Sequence, residues 1–238
     1  MMVLPKEITD SNVYPCSASK VIVKVFPVMA LALSAILLAQ SAGSDRLERQ
    51  AQGQALTSSH DPAVQITFGP QFKYAGGQRF PLYGVAEAEQ HFYVQANSSG
   101  QLQRFYWVQF EHYLPDNTHQ YDYPSKRKVD IGGLSFIHDS AVFSDYAGAN
   151  KNPDSDGGKA RALLRKSGMV FPSAMARIRM VHLTDNSRRK ELMIIYGEAL
   201  DGKAPAGSEE GQEADDKFPE LASGLLKHAT EGMKIERH

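Results

Sequence analysis

Residues 87–113 read EAEQHFYVQANSSGQLQRFYWVQFEHY, and this stretch decides the fold class. Two runs rich in aromatic and apolar residues, 87–96 and 101–113, flank the segment Asn97-Ser98-Ser99-Gly100. Strand-forming runs on both sides of a short Asn/Ser/Gly segment are typical of a β-hairpin. A three-residue loop, Ser98 to Gly100 with a left-handed glycine, separates the apolar from the polar side chains best. We therefore expect Asn97 to pair with Gln101, since the hydrophobic pattern sets strand register.

In this register one face of the hairpin mixes aromatic rings with polar groups. His91 lies opposite Trp107 and Tyr93 lies opposite Phe105, with Glu111 further along the same face. Aromatic rings beside polar groups are typical of surfaces that bind small molecules. The sequence thus predicts a ligand-binding surface at these five residues. The alternative is an ordinary amphipathic face that the C-terminal helix or a loop covers.

The chain around the hairpin predicts an α+β domain over residues 63–200. We expect an antiparallel sheet of about six strands, able to curve, with two or three helices packed on it. One helix is predicted over 157–166, with Ala160, Leu163 and Leu164 inward and an end at Gly168. Further strand patterns cover 64–68, 128–131, 134–138, 177–184 and 191–197.

Three segments flank this core. Residues 44–62 are polar and predict a linker. Residues 201–217 are rich in acidic and small residues and predict a flexible loop. Residues 218–238 predict a C-terminal amphipathic helix of the same domain, packed on the sheet through Leu221, Leu225, Leu226, Ala229 and Met233.

Residues 1–43 predict an N-terminal extension followed by a signal peptide or signal anchor. Lys20 and Lys24 precede an uncharged run that begins at Val25 and ends at Ala39. This run is about 22 Å long as a helix at ~1.5 Å per residue, whereas a hydrocarbon core is about 30 Å thick. We therefore expect export to the periplasm or the medium, with cleavage after Ser41. The alternative is a membrane anchor with the domain outside.

Composition excludes several functional classes. The net charge of −1 argues against nucleic acid as a partner, because such binding relies on a basic surface. The single cysteine, Cys16, precedes the apolar run, so the exported chain would carry no disulfide or thiolate site. No cofactor is expected. The expected partner is an unknown small molecule or protein, and the membrane is contacted only through the N-terminal segment.

Two local patterns suggest cation sites but fit them poorly. Residues 152–157, NPDSDG, resemble half of a calcium-binding loop, yet the twelfth position is Leu163, where a bidentate Glu is required. Ser155 or Asp156 as the N-cap of a helix is the preferred interpretation. His112, His119 and Asp116 could meet around one loop and hold a metal, but their spacing matches no metal-binding motif.

The sequence favours an exported, non-enzymatic domain that binds a small ligand or partner through the aromatic-polar face. One alternative is a secreted hydrolase that uses His112, His119 and Asp116. Another is an interaction module at a membrane surface, acting through the basic triplets 126–128 and 188–190. No set of motifs in the chain resembles a known family.

Overall fold

The computed structural model describes residues 46–149, 152–200, 204–208 and 211–238. These residues form twelve strands and two helices, which confirms the α+β class. The strands are β1 Gln50–Gln52, β2 Ala55–Ser59, β3 Ala63–Phe68, β4 Lys73–Leu82, β5 Ala86–Ala96, β6 Leu102–Tyr113, β7 Lys128–Ile131, β8 Leu134–Phe143, β9 Met175–Leu183, β10 Lys190–Ala199, β11 Gln212–Glu213 and β12 Met233–Arg237. The helices are α1 Asp156–Lys166 and α2 Pro219–Glu231.

The strands form two antiparallel sheets. The small sheet has the order β1-β2-β3-β12, so the last strand of the chain pairs with β3 near the start of the described chain. The large sheet has the order β11-β8-β9-β10-β6-β5-β4, and β7 also pairs with β8. Long neighbouring strands β5, β6, β9 and β10 form the centre of the large sheet, and both of its faces are buried in this region.

One face of the large sheet, here the α2 face, packs against the small sheet and α2. Its core contains rings of the central strands together with Ile66, Leu225 and Ile235. Two tyrosines tie the layers together through their hydroxyls: Tyr93 donates to the carbonyl of Ala55 at 2.8 Å, and Tyr106 donates to the carbonyl of Ala229 at 2.8 Å. Burial raises the pKa of both hydroxyls, so they stay protonated donors.

The opposite face, here the α1 face, packs against α1. Its core combines Phe92, Trp107, Met193 and other sheet residues with Ala160 and Leu164 of the helix. The sequence pattern of α1 explains this packing, because these two small and apolar side chains lie four residues apart on one side of the helix.

The hairpin forms as predicted at its loop but not in its register. Gly100 is left-handed with φ +78°, and the N–H of Asn97 donates to the carbonyl of Gln101 at 3.0 Å. A β-bulge follows at once: Ala96 pairs with Leu102 and Gln95 with Arg104, which leaves Gln103 as the extra residue. From there on, every pair is shifted by one residue relative to the expectation.

The strand number and three segment assignments are corrected. About six strands were expected, whereas the described residues form twelve. The expected linker 44–62 contains β1 and β2, which pair with each other and with β3. The helix in the C-terminal segment 218–238 ends at Gly232, where the chain turns into β12 because Met233 and Ile235 alternate inward. The expected acidic loop 201–217, described at 204–208 and 211–217, adds β11 to the edge of β8.

The predicted export segment 1–43 lies outside the described residues. Within the described part of the chain, neither helix is long and apolar enough to span a membrane.

Candidate functional site

Strand pairing places two rows of side chains across the α1 face. Reading from β6 through β10 and β9 to β8, the first row is Phe105, Gly197, Arg177 and Ala141. The second row is Trp107, Ile195, Arg179 and Asp139. Two arginines therefore lie side by side on a sheet face whose other members in these rows are mainly apolar.

Gly197 makes room for Phe105 in the first row. A Cβ at Gly197 would lie 2.3 Å from Cε1 of Phe105, so the aromatic ring occupies the space above the glycine. Ala141 on the other side of Arg177 is also small. In its row, Arg177 therefore has Gly197, covered by the Phe105 ring, on one side and the small side chain of Ala141 on the other.

Helix α1 covers this part of the sheet. Its N-cap is Ser155, one of the two residues that the sequence pattern offered, and the Ser155 hydroxyl accepts from the N–H of Gly158 at 3.0 Å. Between the helix and the sheet lies a cavity of about 290 Å³, here called the α1 cavity. Its walls include Phe105, Trp107, Met193, Ile195, Arg177 and Arg179 on the sheet and Asp156, Ala160, Arg161 and Leu164 on the helix.

Arg177 has no carboxylate partner among the described residues. Its guanidinium carbon lies 5.2 Å from the centre of the Phe143 ring, and its buried Nε has no hydrogen-bond acceptor. Burial and the neighbouring charge of Arg179 lower the pKa of Arg177 from its ordinary value. Since arginine remains protonated near neutral pH even so, this position holds a half-buried cation with an unmet donor.

Arg179, by contrast, is paired. It donates to Oδ2 of Asp139 from Nε at 3.0 Å and from Nη2 at 2.6 Å. Its guanidinium also lies 5.2 Å from the centre of the Tyr123 ring. The Asp139 carboxylate is therefore hydrogen-bonded and ion-paired to Arg179, and it makes no such pair with Arg177.

A second cavity of about 680 Å³ adjoins the first and shares Arg177 and Arg179 with it. Residues of the 124–127 segment and of β8 form its other walls, together with Gly211 and Glu213. Arg127 on its rim pairs with Glu213, Asp215 and Asp216. The two arginines of β9 thus stand at the boundary between an aromatic cavity and a more polar one.

Two buried carboxyl groups lie further along the same face. Glu111 of β6 is the direct cross-strand partner of Glu191 of β10. Burial, and then the neighbouring Glu111 charge, raise the pKa of Glu191 to about 8. Burial also raises the pKa of Glu111. Two carboxylates this close in a buried site resist ionising together, so the pair holds a proton near neutral pH.

Tyrosine hydroxyls from the 114–127 segment cover this carboxyl pair. Tyr121 donates to Oε1 of Glu111 at 2.9 Å, and Tyr123 donates to Oε2 of Glu191 at 2.5 Å. A glutamine chain on the other side links Gln90, Gln109 and Glu111, and Gln109 also accepts from the indole N–H of Trp107 at 3.1 Å. Gln90 further donates to the carbonyl of Asp156 at 3.1 Å. The network thus fixes the orientation of Trp107 and the start of α1.

The five residues predicted as a ligand surface do not form one face. Because of the bulge, His91 pairs with Val108 and Tyr93 with Tyr106, both on the α2 face and fully buried. Phe105 and Trp107 lie on the α1 face and line the α1 cavity. Glu111 shares that face but lines a separate small cavity of about 90 Å³.

His91 belongs to a buried network on the α2 face. Its Nε2 lies 2.8 Å from Oε1 of Glu89, and its Nδ1 lies 3.0 Å from the hydroxyl of Tyr74. Burial opposes ionisation of Glu89, but hydrogen bonds from His91 and from the N–H groups of Glu48 and Arg49 outweigh it and lower the pKa to about 2. These contacts fasten residues 48–49 to the sheet, which is a structural role.

The sequence analysis did not identify Arg177 and Arg179 as site residues, nor did it show that α1 covers them. A signal was present, because Arg177 and Arg179 alternate with Ala176, Ile178 and Met180 along one strand. Charged residues at alternating positions of a strand indicate that one face is polar or lines a cavity. The predicted strand 191–197 lies within β10, and its apolar run 192–195 is buried on both faces of the sheet.

The residues of the hydrolase alternative are not assembled into a metal centre. No group of three or more His, Cys, Asp or Glu side chains among the described residues could hold a metal ion. His119 and Asp116 are exposed, and His112 is partly buried, which lowers its pKa.

Comparisons with known proteins add no relative: no protein-family model, curated protein or solved structure matches the chain.

Proposed function

We propose that this protein is a binding protein for a small organic molecule, which lies in the α1 cavity. The proposal rests on the combination of aromatic and charged side chains that line this cavity. Aromatic rings of Phe105 and Trp107 line the same cavity as Arg177, whose buried Nε has no acceptor among the described residues. Apolar walls with a few directed polar groups are the usual composition of ligand sites.

The size and lining of the α1 cavity support its interpretation as a ligand site rather than as a packing defect. Protein cores are close-packed, and their occasional voids are small and apolar. The α1 cavity has a volume of about 290 Å³, near the lower end of the ~300–1,000 Å³ of ligand pockets, and charged groups stand on its wall. A single-ring compound or a short alkyl chain fits this volume.

The two alternatives have weaker support. His112, His119 and Asp116 make no hydrogen bond to one another among the described contacts, so the hydrolase has no assembled site. The basic triplets are largely engaged: Arg127 pairs with three acids, Arg188 with Asp122 and Lys190 with Asp61. A surface neutralised in this way has little attraction for anionic lipid.

We also propose that the domain is exported, on the pattern of residues 1–43 alone. N-terminal sequencing of the mature chain tests this, with Ala42 as the expected first residue. A mature chain that retains the run from Val25 to Ala39 would instead indicate a membrane anchor.

The binding proposal is tested by filling the cavity. Ala160→Leu places extra methyl groups into the α1 cavity, whereas Ala162→Leu makes the same change at an exposed position of the same helix. Ligand-observed NMR with a panel of single-ring aromatic fragments is expected to show binding to the wild type and to Ala162→Leu, and its loss in Ala160→Leu. Absence of any bound fragment, or binding that survives Ala160→Leu, would show that the cavity is not the site.

A further inference from the structure

We infer that the ligand of the α1 cavity is a monocarboxylate with an aromatic or alkyl body, and that Arg177 binds its carboxylate. This inference rests on the proposed function and names the class of molecule that the site takes. Four features of the described residues support it. Among these residues Arg177 has no ion-pair partner, its Nε has no hydrogen-bond acceptor, its row neighbour Ala141 is small, and Phe105 and Trp107 form an aromatic wall.

The charged side chains around the α1 cavity bear on the sign of the ligand charge. Four charged side chains line the α1 cavity: Arg161, Arg177, Arg179 and Asp156. Arg179 is offset by Asp139, while the ion pairs among the described residues include none for Arg177. A cation at a half-buried position without an ion-pair partner favours an anionic ligand, since the anion restores the interactions lost with water.

The other charged groups on the cavity wall bear on how many negative charges the ligand carries. Arg161 is buried, lies 4.3 Å from the centre of the Phe171 ring and donates to the carbonyl of Ala147 at 3.1 Å. The Asp156 carboxyl group on the cavity wall accepts from the N–H of Gly157 at 2.6 Å. Arg177 is a single cation that has no ion pair among the described residues, and the Asp156 carboxyl group stands on the same wall, which favours a single negative charge over the double charge of a phosphate monoester.

The geometry of the Arg177 guanidinium and of the space beside it bears on the type of anion that binds. The guanidinium presents several N–H groups in a planar fork, which matches the two oxygens of a carboxylate. Its row neighbour Ala141 carries no long side chain and lines the second cavity with it, so a planar anion can approach Arg177 from that side. Arg177 lines both cavities, so a carboxylate there lies at the polar boundary while the body of the ligand points toward Trp107.

The aromatic and apolar wall of the cavity bears on the body of the ligand. Phe105 lies over Gly197 next to Arg177, and Trp107 follows in the next row with its indole N–H engaged by Gln109. The indole therefore offers its ring rather than a donor to the ligand. Met193, Ile195 and Leu164 complete an apolar surface, and burying a ring or alkyl chain there supplies hydrophobic affinity.

The test compares three probes of similar shape: 3-phenylpropionate, its neutral amide 3-phenylpropanamide, and 3-phenylpropyl phosphate. Their dissociation constants are measured by calorimetry and by the emission of Trp107, the single tryptophan of the chain. We expect the carboxylate to bind the wild type at least ~10-fold more tightly than the amide, as a charge-assisted bidentate contact does. The phosphate is expected to bind no better than the carboxylate.

Arg177→Gln identifies the residue responsible. This variant is expected to bind the amide as the wild type does, which shows an intact cavity, and to bind the carboxylate no better than the amide. Arg104→Gln is the matched control, because Arg104 lies on β6, is exposed and lines neither cavity. It should keep the wild-type preference for the carboxylate.

The outcomes separate the inference from the proposed function. Equal binding of carboxylate and amide to the wild type, a preference that survives Arg177→Gln, or tighter binding of the phosphate overturns the inference and leaves the cavity as a ligand site. If none of the three probes binds at millimolar concentration, both the inference and the proposed function are wrong.

Discussion

Glu191 is a buried acid whose ionisation opposes folding. It is 3% exposed, faces Glu111 across the strands and has a pKa raised to about 8, against 4.5 for an unperturbed Glu. Between these two values the folded protein retains a proton that the unfolded chain has lost. The contribution of Glu191 to the free energy of unfolding is therefore fully present below about pH 4.5. It is lost as the pH rises through 8, at a rate of at most ~1.4 kcal/mol per pH unit.

Glu191→Gln should remove this pH dependence. The amide oxygen can still accept from Tyr123, but no proton is bound or released. We expect similar free energies of unfolding for the variant and the wild type at pH 5, and a variant that is more stable by at least ~1 kcal/mol at pH 9. Urea denaturation at both pH values measures this, with the exposed Glu231→Gln as control. Parallel profiles for Glu191→Gln and the wild type would mean that Glu191 ionises normally.

Two adjacent glycines at the start of α1 have opposite roles. A Cβ at Gly157 would meet only the hydroxyl of Ser155, at 4.0 Å, whereas a Cβ at Gly158 would lie 2.0 Å from the carbonyl oxygen of Asn152. Gly158 therefore allows the 152–155 turn to close on the helix. Gly157 has no such role, and it faces the α1 cavity.

Alanine at these two positions should change stability in opposite directions. Gly157→Ala is expected to stabilise the protein by about 0.5–1 kcal/mol, because alanine loses less backbone entropy in a helix. Gly158→Ala is expected to destabilise it by about 1–3 kcal/mol, because the turn must shift to relieve the clash. The midpoints of chemical denaturation decide this, and equal effects of the two substitutions would contradict the described start of α1.

The hairpin β5–β6 shows what local sequence can and cannot predict. Its loop was predictable because the interactions are local: the Asn97 side chain accepts from the N–H groups of Ser99 and Gln101, and Gly100 supplies the left-handed turn. The register beyond it was not. Separating polar from apolar residues fixes register only if one face meets water, and here both faces are buried.

The outer strands were missed for a different reason. β2 has one large buried side chain, Leu56, within a polar stretch, and pairing with β3 rather than its own pattern makes it a strand. β12 does alternate, but Met233 also continues the apolar stripe of α2, so the helix pattern masked the strand. The arginines of the candidate site were missed because their environment depends on how α1 and β8 pack around β9, which the pattern of β9 alone does not show.

In the described part of the chain, the large sheet is shared by the two main hydrophobic cores. Ile235 of β12 is buried in the core on the α2 face, and Trp107 is buried on the α1 face, with strand β6 contributing to both. Neither core is complete without the large sheet. Because the cores share this sheet, we expect the domain from Ala42 to His238 to unfold in a single cooperative transition.

Ile235→Ala tests this cooperativity, since it removes buried methyl groups from one core while Trp107 reports on the other. The substitution should cost about 2–4 kcal/mol, the usual penalty of a cavity in a core. Far-UV circular dichroism and Trp107 emission should both shift to the same lower denaturant midpoint. Lys234→Ala, an exposed position on the same strand, should leave both midpoints nearly unchanged. If the emission midpoint stays at its wild-type value while the dichroism midpoint falls, the two cores unfold separately, and the large sheet does not couple the C-terminal strand to the ligand site.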